Sequence, residues 1–230
     1  MFLGHYGLVF AAKRLAPRTS LGPLTFAGNL ADTVWPVLLV LGVERVSLKP
    51  GLMAASDFDF ESYPWSHSLL TGLLGGLAVA LVAYALRHDL RAALVLGALV
   101  PSHWLLDLPF HRPDLPLWPG GPLLGLGLWS SVGATHALEA LLFVGGLGVY
   151  LAQTRARDLV GTLGLWGMAG LLAAIYLASA MSPASPDADA SAIGWAGLAL
   201  WLFVPFAGWV DGHRMPRRQA VPAATTPSNG

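Results

Sequence analysis

Residues 69–86 read LLTGLLGGLAVALVAYAL, a run without one charged side chain. At about 1.5 Å per residue, a helix of this length crosses most of the roughly 30 Å of hydrocarbon in a bilayer. Two more charge-free stretches, Leu159 to Met181 and Ser191 to Val210, are longer still. Gly22 to Val43, Ala92 to Phe110 and Leu128 to Thr154 also span once a few ionisable groups are admitted, while Phe2 to Ala12 is apolar but short. The predicted fold class is all-α: a polytopic transmembrane bundle of about six full spans plus a short N-terminal helix, in one domain over residues 1–215.

Composition agrees. Of 230 residues, 55% are hydrophobic and 11% charged, with a mean hydropathy of +0.60, too little polar side chain to cover a soluble globule of that size. The formal net charge is zero, so no basic footprint points to nucleic acid. The absence of cysteine removes thiolate ligands and thiol nucleophiles and leaves the redox compartment unreadable. In the opening MFLGHYGLVFAAKRLAP the basic residues follow the apolar run, the reverse of a cleavable signal peptide, so Met1 is expected to stay. Residues 216–230, ending in RQAVPAATTPSNG, have little to bury and are expected to be a disordered tail.

Charge placement orients the spans. Ten Lys and Arg residues, among them Lys13, Arg87, Arg155 and Arg214, fall in loops on one side, and only Arg45, Lys49 and Arg112 fall on the other. By the positive-inside rule this predicts an external N-terminus and a cytoplasmic C-terminus in an inner membrane. The external loops, around 44–64, 111–127 and 182–190, carry Asp57, Asp59, Glu61, Asp114, Asp187 and Asp189, and the first three acids read as solvated loop. Gly72 with Gly76, and Gly164 with Gly167 and Gly170, read as close helix-packing faces. Pro36 and Pro205 are expected to kink their spans. Trp118, Trp129 and Trp209 fit an interfacial belt. No internal repeat points to a transporter of two inverted halves.

Ionisable groups inside the membrane cost at least about 2.5 kcal/mol each, so they are functional candidates by default. They are His5, Asp32, His67, His103, Asp107, His136 and Glu139. Counting rise along the helices sets the first five at depths from which they can line a pocket open to the outside. His103 and Asp107, four apart in SHWLLD, share a helix face, and His67 in YPWSHSLL can supply a third ligand to one ion. Imidazole with carboxylate suits a divalent metal, zinc first and manganese or iron next, and a water on such a metal attacks phosphoryl or acyl centres. His111 continues the series only if Pro109 has not ended the helix, and is read as a rim residue. The plainer readings are a helix cap for His67, a mutual hydrogen bond for His103 and Asp107, and an internal polar pair for His136 and Glu139.

The order of GH at 4–5, LAD with a following Pro at 30–36, SHSLL at 66–70, SHWLLD at 102–107 and PLWP at 116–119 resembles the bacterial inner-membrane metal-dependent hydrolase-like family, of the membrane-bound, SOS-regulated type. The resemblance covers roughly the first 120 residues, and the three spans over 128–213 read as an extension. It implies metal ligands at His5, Asp32, His67, His103 and Asp107. Val34 and Trp35 stand where that family has a second Asp and a His, and Ser62 where it has another His, so one metal is expected rather than two.

The leading expectation is therefore a metal-dependent hydrolase acting on a small-molecule or lipid-linked envelope substrate amid membrane lipid. Asp32 and Asp107 are the carboxylates for catalysis, the general base being whichever does not touch the metal. The alternatives are a proton-coupled transporter or channel relaying through Asp32, His103, Asp107, His136 and Glu139, a non-catalytic protein with a decayed site, and haem ligation by a histidine pair.

Overall fold

A computed structural model describes residues 1–181 and 190–217, so Asp187, Asp189 and all of the expected tail but Pro216 and Arg217, which are ordered against residues 153–154, lie outside the described residues. The chain is mostly helical. It begins with α1 (Leu3–Ala12), α2 (Leu21–Gly28) and α3 (Leu30–Val40), continues through a β-hairpin to α4 (Leu69–Arg87) and α5 (Leu90–Asp107), and then α6 (Val132–Gln153) and α7 (Leu159–Met181). The last apolar run, Ala190–Gly212, consists of α8 (Ala190–Gly197), a 3-10 turn and α9 (Phe203–Gly212). Five of these segments are long and apolar enough to cross a membrane: α4, α5, α6, α7 and the α8–α9 run.

The sixth expected span, Gly22 to Val43, is broken. Asn29, at φ −115° and ψ 22°, turns its side-chain amide back onto the Thr25 carbonyl at 3.0 Å, and this local bond competes with continuation of the helix. The break leaves α2 and α3 too short to span singly and sets Asp32 in the first turn of α3.

Glycine governs two of the close helix approaches. A Cβ at Gly76 of α4 would stand 2.4 Å from the Gly97 carbonyl of α5, so the Gly72 and Gly76 face packs as read. A Cβ at Gly146 of α6 would stand 1.8 Å from the Gly7 carbonyl of α1, which clamps these two helices together. The second expected glycine face is corrected. Gly164 meets Val210 of α9, but Gly167 and Gly170 meet nothing, because that side of α7 turns outward. On α4 the exposed Leu73, Leu77 and Leu81 form an outward-facing apolar stripe.

Two polar ends cap an apolar middle built on Val9, Phe10, Leu24, Phe143 and Leu147. At one end Lys13, expected at the surface, is buried. Its Nζ donates to Asp211 Oδ2 at 2.6 Å and to the Thr19 carbonyl at 2.7 Å, and Tyr150 donates to Asp211 Oδ1 at 2.6 Å. Strands β5 (Thr154–Ala156) and β6 (Arg214–Pro216), numbered after the four short strands of the other end, pair beside it. There the exposed Asp158 accepts from His213 at 2.8 Å, which lowers its carboxyl below the usual range.

At the other end the loop expected over 44–64 is a β-hairpin, β1 (Arg45–Met53) with β2 (Ser56–Ser62), in which Ser47 faces Asp59 and Leu48 faces Phe58. The alternation in DFDFE sends Phe58 and Phe60 against Trp35. Asp59 points the other way and is buried in ion pairs with Lys49 and Arg112, so it is not a solvated loop acid. A two-residue ladder, β3 (Leu115–Pro116) with β4 (Leu123–Leu124), closes the segment after α5. Trp129 is buried against Phe60 and His111 rather than set in a belt, whereas Trp118 and Trp209 are exposed.

Candidate metal centre

Three helices and one turn converge at the hairpin end. α1 brings His5, α3 brings Asp32, the turn before α4 brings His67, and α5 brings His103 and Asp107. His5, His103 and Asp107 form one group whose candidate ligand atoms all lie within 4.8 Å of one another, and Asp32, His67 and His103 form a second. His103 belongs to both. The five residues named as ligands from the sequence are thus brought together, and all but Asp32 are buried.

Hydrogen bonds on the far side of each ring decide what the near side offers. His103 Nδ1 lies 3.1 Å from the Gly28 carbonyl, which only accepts, so the proton of a neutral His103 sits on Nδ1. Its Nε2 then presents a lone pair to Asp107 Oδ2 at 3.3 Å and Asp32 Oδ1 at 3.6 Å, and makes no hydrogen bond. For His67, Ser66 Oγ donates to Glu44 Oε2 at 2.6 Å, so the 2.7 Å contact between His67 Nδ1 and Ser66 Oγ has the imidazole as donor. His67 Nε2 likewise faces Asp32 Oδ1, at 3.5 Å, with a lone pair. Acceptors aimed at acceptors in a buried place repel unless a cation lies among them. A proton on His103 meets that need in part. A divalent metal meets it fully, with each imidazole held from behind by a carbonyl or a hydroxyl–carboxylate pair, as ligating histidines usually are. The donor set fits zinc, manganese or iron.

The local fold explains why these groups sit here. Asp107 is the last residue of α5, where the helix dipole is negative and a carboxylate needs cationic company. The Met1 ammonium donates to its Oδ1 at 2.8 Å, and His5 Nε2 lies 3.1 Å from the same oxygen. Glu44 does not stand out in the sequence, where it is a lone acid beside an apolar run. It is fully buried and also accepts from the Trp65 and Ser66 backbone at 2.8 and 2.9 Å, which fixes the turn carrying His67.

No described protein family, curated protein or solved structure matches this chain.

The remaining polar residues separate from the cluster. His136 and Glu139 are not a pair with each other. His136 Nδ1 lies 2.6 Å from Tyr176 of α7, while the Glu139 carboxylate accepts from Phe2 N and Gly4 N, both at 2.8 Å, and so caps α1. His111 is not a rim residue. α5 does end before Pro109, but the chain turns back and buries His111, with Nδ1 2.9 Å from Asp114 Oδ1 and 3.2 Å from the Tyr63 hydroxyl. Burial lowers the His111 imidazole below its ordinary value and raises the Tyr63 phenol well above its own.

Two cavities reach the cluster. One of about 620 Å³ has Asp32, His67, Asp107 and His111 in its wall. Another of about 200 Å³ touches His67 and His103 from the side of Gly72 and Gly75. The stacking of His5 on His103, at 3.6 Å, leaves no room for a porphyrin between them.

Proposed function

We propose that this is a membrane-embedded metal-dependent hydrolase-like protein with one His/Asp metal site. The site opens to the outer side of an inner membrane and acts on an envelope or lipid-linked substrate. The observation that carries this reading is the convergence of His103 Nε2 and His67 Nε2 on the Asp32 and Asp107 carboxylates at 3.3 to 3.6 Å, with the other nitrogen of each ring held from behind. These groups join a cavity large enough for a small ligand.

His67, His103 and Asp107 are the primary ligands, with His5 and Asp32 completing or orienting the set. A divalent metal held there supplies Lewis acidity and a water of lowered pKa. Asp32 is the least buried of the five and faces the large cavity, so it is placed to take a proton from a water entering there. Asp107 and Gly28 hold His103 from opposite sides, and Glu44 holds His67 through Ser66. The relay reading is disfavoured by the apolar middle of the bundle, where Val9, Phe10, Phe143 and Leu147 separate these groups from Lys13 and Asp211.

The test is metal analysis of detergent-purified protein, wild type beside His103→Ala and Asp107→Ala. Near-stoichiometric zinc, manganese or iron in the wild type, lost in both variants, is the expected result. Wild-type protein free of tightly bound metal after purification in metal-supplemented buffer sinks the reading. Metal that persists in both variants removes these ligands.

A further inference from the structure

Three helix faces wall the 620 Å³ cavity, each with helical spacing. α6 contributes Thr135, His136 and Glu139. α7 contributes Ile175, Tyr176 and Ala180, and α8 with its 3-10 turn contributes Ile193, Ala196 and Leu200. The wall is therefore uneven in character: polar from α6 and from the Asp32, His67 and Asp107 end, apolar from α8, and apolar along α7 except for Tyr176 and Ser179.

The apolar side belongs to segments that are themselves long enough to cross a membrane. α7 packs along α9, and among the described residues neither α6 nor α8 lies closely along it. A seam is left at membrane depth, bridged by the 2.6 Å contact of His136 with Tyr176. Ile175, more than a third exposed, stands beside this seam and lines the cavity.

We infer that the cavity is the berth for one hydrocarbon chain of an amphipathic lipid, entered between α6 and α7, with the lipid's polar group against Asp32, His67 and Asp107. This deepens the proposed hydrolase reading and rests on it for the fate of the polar group, though not for the chain. A water-soluble substrate has no use for an apolar wall continuous with the bilayer, whereas a chain moved from bilayer to berth stays in an apolar medium and loses no hydrophobic free energy. The volume, within the roughly 300–1,000 Å³ typical of small-ligand pockets, admits one chain rather than a whole two-chain lipid. His136 and Tyr176 offer a hydrogen-bonding station on the way, suited to an ester carbonyl or hydroxyl.

The test uses the full chain in phosphatidylcholine vesicles doped with a phosphatidylcholine carrying a diazirine on one acyl chain, with photo-crosslinks mapped by mass spectrometry. Crosslinks are expected at Ile193 and Leu200 as well as at the lipid-facing Leu77. Filling the berth by Ala196→Trp should cut the interior crosslinks about fivefold or more, equivalent to about 1 kcal/mol, and leave Leu77 unchanged. Ala180→Trp, from the opposite wall, repeats the test should the first variant fail to fold. Crosslinks confined to Leu77 and its lipid-facing neighbours, or interior crosslinks indifferent to both variants, overturn the inference. Interior crosslinks in a protein that binds no metal sink the hydrolase reading and leave the berth standing.

Discussion

The imidazoles of His5 and His103 stack face to face, 3.6 Å apart and 9° from parallel, although they belong to helices α1 and α5. Only His103 is shared by the two three-residue groups of the site. His103→Ala should therefore abolish tight metal binding, whereas His5→Ala leaves Asp32, His67 and His103 in place and should weaken it about 10- to 100-fold, the usual range for supporting groups. Chelator competition reads both. Equal losses would deny His103 its central place.

Glu139 holds the first turn of α1, and hence His5, through two backbone donors. Glu139→Gln turns an amide NH2 toward one of them and removes the charge that favours a helix N-terminus. A loss of about 1–3 kcal/mol is expected. Thermal unfolding in detergent measures it, and His136→Gln, whose hydrogen bond among the described residues is to Tyr176, should cost less.

Gly145 and Gly146 are neighbours with opposite surroundings. A Cβ at Gly145 meets nothing within 4 Å, and one at Gly146 would be driven into the Gly7 carbonyl. Gly145→Ala should be neutral or slightly stabilising, since Ala is the better helix former by about 1 kcal/mol. Gly146→Ala should push α1 off α6 and lose both stability and metal. Comparable melting temperatures for the two would contradict the packing.

Acid should loosen the hairpin end. His111 is faced by Asp114 and Tyr63, with Arg112 on the other Asp114 oxygen, and burial holds its imidazole below the ordinary 6.5. As pH falls below 6.5 the unfolded chain takes up a proton that the folded one resists, so stability declines with decreasing pH from that point. Melting curves recorded from about pH 7.5 down to about pH 5 should fall more for the wild type than for His111→Gln.

Orientation can be read directly, because the chain has no cysteine of its own. Ala54, at the hairpin tip, and Arg157, at the basic end, are both exposed positions for single cysteines. An impermeant thiol reagent on intact cells should modify Ala54→Cys and spare Arg157→Cys until the membrane is opened. The reverse pattern would invert the proposed topology.

What is legible in the sequence is tied to periodicity. The i, i+4 step of His103 and Asp107, and runs such as 69–86, are local signals of helix face and length, and the structure keeps both. Asn29 ends a helix through its own side chain, which hydropathy averaged over Gly22 to Val43 does not register. The alternation in DFDFE is a strand signal in its own right, masked by the turn-forming residues on either side of it. His111 and Glu44 depend on the chain turning back after α5 and before His67, and no spacing rule encodes such returns.

The dependence of α1 on α6 also has a consequence in time. Gly4 meets Glu139 across 135 residues of chain, so the carboxylate cap on the first turn of α1 is missing until α6 has been synthesised. At about 5–20 residues per second, that leaves a delay on the order of seconds, during which His67, His103 and Asp107 already exist while the first turn of α1 is uncapped. During biosynthesis the support that fixes the chain's first helical turn is therefore the last part of the centre to arrive.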